Sequence, residues 1–263
     1  MERRIRMSMR VNQRENGIIE YINQCESATV AELSQHFNVS EITIRRDLER
    51  LNEKRIIDRF HGGARRLNLP NGDATVTEFK QKSLSMSLEK ARIGQRACQF
   101  VQDFDTVFMN SGTTVLQFLT QLQCHGVTIV TNNVAALDCP HNPGIDILML
   151  GGTYNERTRS VGGEITTGNL LNIYSTCTIL GVNALDLNEG MTTSVYHECT
   201  TNNAMISHSK GKVIVLADSS KMGKISSYVS SPLSKIDVII TDTGCPKNYI
   251  AGFESHGIEV IAV

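Results

Sequence analysis

The sequence predicts an α/β protein in two parts: an N-terminal winged helix-turn-helix and a C-terminal, mainly parallel α/β domain. Three observations predict it. Residues 13–67 carry short helical stripes separated by cap and turn residues. From Asp105 onward, short β-branched runs alternate with helical stretches, the pattern of buried parallel strands joined by crossover helices. Between the two, residues 68–82 (NLPNGDATVTEFKQK) hold Pro70, Asn71-Gly72 and no periodic stripe, which reads as a linker. The expected division is therefore 11–67, 68–82 and 83–263.

The 263 residues are 40% hydrophobic and 20% charged, which suits a globular chain and argues against disorder. No run of 18 apolar residues occurs, so no transmembrane helix and no membrane partner are expected. The basic start MERRIRMSMR leads into no apolar segment, so a secretory leader is not expected. Met7 and Met9 offer alternative starts. Seven scattered cysteines without a CxxC pair fit reduced thiols in a cytoplasmic protein rather than disulfides or a zinc site. No metal and no cofactor are expected. The net charge of −1 hides an asymmetry. Residues 1–68 hold 13 Lys/Arg against 10 Asp/Glu, and the remainder 13 against 17. A basic head on an acidic body points to a polyanionic partner for the head.

In the head, a first helix is expected from Gln13 to Gln24, with Ile18, Ile19 and Ile22 at helical spacing. Thr29 can cap a second helix, with Glu32 at N3 completing a capping box and Val30, Leu33 and Phe37 as its stripe. Asn38-Val39-Ser40 makes the turn, and Ser40 caps a third helix, Glu41 to about Lys54, lined by Ile44, Leu48 and Leu51. Arg55–Phe60 alternates as a strand, His61-Gly62-Gly63 turns, and Ala64–Leu67 returns. The result is a helix-turn-helix with a wing.

With Ile44 facing inward, Ile42, Arg45, Arg46, Glu49 and Arg50 point outward, with Thr43 on one flank. Arg45 and Arg46 can reach phosphates or a guanine edge, Thr43 a phosphate or base, and Ile42 a thymine methyl. Arg59, His61, Arg65 and Arg66 of the wing would meet phosphates, and an arm of Arg3, Arg4, Arg6 and Arg10 could add a contact. Thr29 and Ser40 cap the paired helices and are counted with this set. Asp47, near the inner stripe, reads as a structural ion-pair or hydrogen-bond partner. Arg-rich helix faces are often only solvated, so the case rests on the whole pattern rather than on Arg45 and Arg46 alone.

In the body, a helix from about Ser85 to Val101 precedes seven candidate strands: Thr106–Met109, Val127–Val130, Ile145–Leu150, Thr178–Val182, Val213–Ala217, Val238–Ile240 and Ile258–Ala262. Helical stretches Val115–Leu122, Val134–Leu137, Glu198–His208 and Lys247–Ser255 lie between several of them. The strongest local signal is Asn110-Ser111-Gly112-Thr113-Thr114, between the first strand and a helix. Free N–H groups, the positive end of the helix dipole and three hydroxyls suit an anion, above all a phosphate. Ordinary helix capping would use the same residues. No GxxxxGK[ST] or GxGxxG occurs. Other strand ends lead into Thr131-Asn132-Asn133, Gly151-Gly152-Thr153, Asn183 and Asp218-Ser219-Ser220-Lys221. Ligands of parallel α/β sheets bind outside such carboxyl ends. Lys221 could approach an anion, and Asp218 could accept from hydroxyls or cap the next turn.

The stretch Val30–Ala64, with VSxxTIRRDL (Val39–Leu48) followed by HGGA (His61–Ala64), resembles the winged helix-turn-helix of the DeoR family of bacterial sugar-metabolism regulators. NSGTT, TNN, the pair Gly151-Gly152 with VGG ending at Gly163, LGV (Leu180–Val182), HEC (His197–Cys199) and DSSKMG (Asp218–Gly223) follow in the family's order, so the likeness spans nearly all of residues 11–260. It implies that Ser40–Leu51 is the recognition helix of a repressor that binds double-stranded operator DNA. It also implies an effector domain similar to the ribose-5-phosphate isomerase and CoA-transferase fold. That domain would bind a phosphorylated sugar or derivative and assemble a homo-oligomer, a dimer or tetramer. The expected effector set is Asn110, Ser111, Gly112, Thr113, Thr114, Thr131, Asn132, Asn133, Gly151, Gly152, Glu198, Asp218 and Lys221. Two departures stand out. The family usually has Asp at or beside the position of Asn110, and Lys in the helix where this chain has Asn202 and Asn203. Their loss would change the charge of the pocket. The linker and the helix after it are the expected coupling route.

An isomerase-like enzyme is the alternative. Aldose–ketose isomerisation needs a base and an electrophile, and Glu164, Glu198, Asp218 and Lys221 are the candidates, but no motif fixes any of them at such a centre. Cys199 beside His197 and Cys124 beside His125 are sequence neighbours that need not face each other, and Cys139 with His141 lacks a second pair for a metal. No catalytic residue is assigned, and the chain is expected not to be an enzyme. A purely architectural DNA-binding protein would not need so large a body.

Overall fold

The computed structural model describes residues 14–15, 17–19, 21–22, 25, 27–53, 56–60, 62–66, 79, 82–83 and 85–263. The chain divides into two compact units, Met1–Met86 and Ser87–Val263. The expected arm, His61 and, apart from Phe79 and Lys82, the expected linker lie outside the described residues, as does the Arg66 side chain.

In the first unit, the described residues between 14 and 25 are helical. They precede β1 (Ser27–Thr29), α1 (Val30–Phe37), α2 (Glu41–Glu53), β2 (Ile57–Phe60) and β3 (Gly63–Arg66). Thr29 caps α1 as expected: its hydroxyl accepts from the Glu32 N–H while the Glu32 carboxylate accepts from the Thr29 N–H at 2.7 Å. The Thr29 N–H and the Thr29 hydroxyl both donate to that carboxylate and, the backbone donor foremost, hold the Glu32 carboxyl below its ordinary value. Asn38 ends α1 in the left-handed region at φ 51°, a conformation Asn tolerates. Ile18, Ile22, Leu33, Ile44, Leu48, Leu51 and Ile56 close one core. Each such burial contributes about 1.5–3 kcal/mol. The expected wing hairpin forms, β2 pairing antiparallel with β3 from Ile57↔Arg66 to Phe60↔Gly63, but a third strand joins it. β1 pairs with β3 through Ser27↔Arg65 and Thr29↔Gly63, making a three-stranded sheet in the order β1-β3-β2.

The second unit runs α3 (Ser87–Ala97), β4 (Thr106–Met109), α4 (Thr113–Gln121), β5 (Val127–Thr131), β6 (Ile145–Met149), β7 (Thr153–Asn155), β8 (Ser160–Gly162) and α5 (Glu164–Leu170). It continues with β9 (Cys177–Gly181), β10 (Ala184–Asp186), β11 (Gly190–Thr193), α6 (Tyr196–Ser207), β12 (Val213–Leu216), β13 (Tyr228–Ser231), β14 (Val238–Thr241), α7 (Lys247–Ser255) and β15 (Glu259–Ala262). The seven candidate strands form one sheet in the order β15-β14-β12-β9-β4-β5-β6, parallel throughout. Their continuous apolar runs reflect burial on both faces. Val107 and Met109 of β4 join one core with Ile93, Val115, Phe118 and Leu119 of α3 and α4. Phe108, between them, joins the other core with Leu170, Met205 and Phe253 of α5, α6 and α7. The period-two alternation of a strand sends adjacent residues to opposite layers.

Three features differ from expectation. Val134–Asp138 is a short 3₁₀ turn rather than an α-helix; Asn133 caps it by accepting from the Ala135 N–H. The β7–β8 hairpin and helix α5 follow β6 where no elements were predicted, and β10, β11 and β13 form a second antiparallel sheet. Among the described residues, no helix is long and apolar enough to cross a membrane.

Candidate functional site

Strand order locates the crevice. From β4 the chain adds β5 and β6 on one side, then returns to place β9 on the other side of β4 and continues to β12, β14 and β15. The order reverses between β4 and β9, the switch point at which open parallel sheets bind ligands. The loop 110–112 leaves the carboxyl end of β4 at that point and opens α4.

Asn110 does not present its amide to a ligand. It is 3% exposed; its Oδ1 accepts from the Gly181 N–H at 2.8 Å, and its Nδ2 donates to the Gly181 carbonyl and to Asn202 Oδ1, both at 2.9 Å. The side chain thus extends the β4–β9 ladder by one rung. Ser111 donates to Glu198 Oε1 at 3.3 Å, and Glu198 Oε2 accepts from Asn183 at 3.1 Å and Thr193 at 2.7 Å. Gly112 adopts φ +155°, and its carbonyl accepts from Asn133 Nδ2 at 3.1 Å. Thr113 opens α4, and Thr114 is buried beside it.

The other expected residues sort by what holds them. Thr131 ends β5 and Asn132 follows it; Thr131 Oγ1 accepts from the Asn133 N–H, and Asn132 Nδ2 donates to the Val161 carbonyl. Asn132 Oδ1 is buried without a hydrogen-bond partner among the described residues, and so is Asp218 Oδ2. Asp218 caps the turn at Ser219–Lys221, accepting from the Ser220 N–H at 3.1 Å, and Lys221 Nζ stands 3.9 Å from Asp218 Oδ2. Gly151 and Gly152 serve packing. The Thr166 hydroxyl donates to the Gly151 carbonyl at 2.6 Å. At Gly152, φ +144°, a Cβ would lie 2.2 Å from Thr166 Oγ1 and 2.7 Å from the Gly162 carbonyl.

A cavity of about 410 Å³ adjoins Glu198, lined by Tyr154, Asn155, Glu156, Ser160 and His197 among others. Of the expected effector residues, only Glu198 lines it. Sequence reasoning missed Thr193, Asn183's bond to Glu198 and the β7–β8 wall. The run ALD-LNE-GMTT (184–193), a turn between two short strand-like pieces, was the available signal for the β10–β11 hairpin. The isomerase candidates are scattered. Glu164 starts α5, while Asp218 and Lys221 lie beyond β12, three strands from β5. Among the described residues, no group of three His, Cys, Asp or Glu could hold a metal.

On the head, Ile42 is 66% exposed, Arg45 and Arg46 are exposed, and Thr43 Oγ1 lies 2.9 Å from Ser40 Oγ. Arg46 has no carboxylate partner among the described residues. Arg45 meets Glu41 at 3.3 Å, Arg59 meets Glu49 at 3.4 Å, and Arg65 meets Asp58 at 2.7 Å; such exposed pairs are weak and can be exchanged for phosphate. Arg50 differs from its expected place. Its guanidinium is bonded to Glu15 at 2.7 Å and to the fully buried Asp47, which also pairs with Arg14. Arg50 therefore ties α2 to the first helical stretch, and its charge is offset inside the head.

A profile of the DeoR-like helix-turn-helix domain matches residues 14–68, and one of the DeoR C-terminal sensor domain matches residues 85–243. The glycerol-3-phosphate regulon repressor of Escherichia coli (strain K12) is 31% identical over 96% of this chain and 99% of its own length. The HTH-type transcriptional regulator GlpR of Haloferax volcanii is 29% identical over 95% and 96%. Ribose 5-phosphate isomerase from Plasmodium falciparum is similar over 51% of this chain and 52% of its own, at 18% identity and a TM-score of 0.36. With a sensor-domain match over more than half its length and a full-length relative above 30% identity, the chain belongs to the DeoR family of helix-turn-helix transcriptional regulators and is not an enzyme.

Proposed function

We propose that this regulator is a cytoplasmic repressor of a carbohydrate-utilisation operon, released from or retained on its operator by a phosphorylated sugar or sugar derivative. The observation that carries the reading is the small, hydroxyl-bearing loop 110–112 at the β4–β9 switch point, opening helix α4. Free N–H groups at a helix start favour a phosphate. Ser111 to Thr114 would meet the phosphate, and Glu198, Asp218 and the amides of 131–133 would meet sugar hydroxyls directly or across a water. A relative named a glycerol-3-phosphate regulon repressor supports the same class of signal. The head would lay α2 in the major groove, with Ile42, Thr43, Arg45 and Arg46 toward the bases or backbone and Arg59 and Arg65 of the wing on phosphate. One head covers a small interface, so specific affinity requires at least two heads in a homo-oligomer on a repeated or palindromic site.

The test is a gel shift on DNA upstream of the protein's own gene and its neighbours, repeated with a panel of sugar phosphates. A specific shift altered by one compound supports both halves of the reading. A specific shift indifferent to the whole panel removes the phosphorylated effector. No specific shift at low or moderate salt removes the DNA reading.

A further inference from the structure

Two buried asparagines at the switch point touch each other, one on the loop after β4 and one on α6. Asn110 and Asn202 are 3% and 5% exposed and share a 2.9 Å hydrogen bond. Gly181 fixes the direction of that bond. Because its N–H and carbonyl both face Asn110, the Asn110 amide can sit only one way round, with Nδ2 toward Asn202. Asn202 must then answer with its oxygen, and its own Nδ2 turns to Ser230 Oγ at 3.5 Å on β13. One turn earlier on α6, on the same helix face, Glu198 accepts from Ser111. Helix α6 therefore grips two consecutive loop residues with two side chains.

We propose that Asn202 is a positioning residue that holds the loop 110–112 in shape through Asn110, and that the two asparagines form one unit exchangeable only jointly. The physical reason is donor count. A carboxylate at 110 could still accept from the Gly181 N–H, but its second oxygen would face the Gly181 carbonyl, acceptor against acceptor, even with the Asn202 amide turned to donate. An ammonium at 202 would face the Asn110 amide nitrogen, donor against donor, as an unpaired buried charge. Made together, the changes restore a donor–acceptor pair and leave the net charge of the crevice unaltered.

The experiment is hydrogen–deuterium exchange on the full chain. It needs no effector and stands apart from the phosphate reading. Peptides covering 110–121 report the loop, and peptides covering β12 and β14 report global stability. With Asn202→Leu, loop amides exchange about tenfold faster than in the parent while β12 and β14 keep their rates. Asn110→Asp does the same, and Asn110→Asp with Asn202→Lys returns the loop to within about threefold of the parent. Asn202→Ser substitutes for the leucine variant if that one does not fold. Unchanged loop rates, an equal rise in all peptides, or a double variant as fast as the product of its singles would each overturn the proposal.

Discussion

Arg46 and Arg50 lie four residues apart on α2, and their fates differ because of what lies across the core. Glu15 and Asp47 capture Arg50, while Arg46 stays exposed without a carboxylate partner among the described residues. Arg46→Ala is expected to weaken specific operator binding by about 1–3 kcal/mol, roughly 5- to 150-fold, with an unchanged melting temperature. Arg50→Ala is expected to lower the melting temperature of the head, because it removes the 2.7 Å ion pair with Glu15 and leaves the fully buried Asp47 with one arginine fewer. Operator titrations and thermal melts on both variants decide it; a larger operator loss from Arg50→Ala with intact stability would reverse the assignment. The thiols make a second residue-scale prediction. Burial pushes Cys177 up to about 12 and Cys98 up to about 11 from an ordinary 9.0. Raising a thiol's pKa lowers its thiolate fraction, for Cys177 by about a thousandfold at pH 8. In native protein, a disulfide reagent should label exposed Cys25 first and reach Cys98 and Cys177 only on unfolding. Labelling of Cys177 at the rate of Cys25 would contradict the buried β9.

At the scale of elements, the seven parallel strands were legible because strands covered on both faces are continuous β-branched runs. The short antiparallel strands were not, since pieces such as Ala184–Asp186 are too brief to show a period. Helix α5 was missed because EITTGNL mixes two threonines and a glycine into seven residues, a weak helical composition. The loop was legible as a polar strand end, but the partners of its side chains were not, because Gly181 and Asn202 lie 71 and 92 residues away. The loop's backbone supplies the element-scale prediction. Gly112→Val forces a β-branched residue to φ +155°, where only glycine is at ease. It should abolish the response to effector while basal operator binding stays within about twofold of the parent. An unaltered effector response in the gel shift would make the loop a structural cap.

At the scale of the molecule, a basic head on an acidic body makes operator binding salt-dependent. Each phosphate neutralised contributes a slope of about −0.9 in a plot of log affinity against log salt. Two heads together should lose on the order of a thousandfold between about 50 and 200 mM salt, read from filter binding or anisotropy. A flat dependence would contradict the phosphate contacts of Arg59 and Arg65. The two-part organisation was legible from the shift between capped helices and alternating strands; the second small sheet and the clamp of α6 on the loop were not.

The halves of the large sheet join along a single seam, where β4 meets β9 through Val107↔Cys177, Phe108↔Thr178 and Met109↔Ile179, with Asn110 adding one more rung. A small molecule seated at the top of that seam would bridge both halves of the fold, and it would be lost on melting. At a hundred times its dissociation constant such a molecule adds about 2.7 kcal/mol to stability, which for a domain of this size raises the melting temperature by about 5 to 10 °C. Calorimetry on the bare protein can therefore search a metabolite library for the signal molecule before any operator sequence is known.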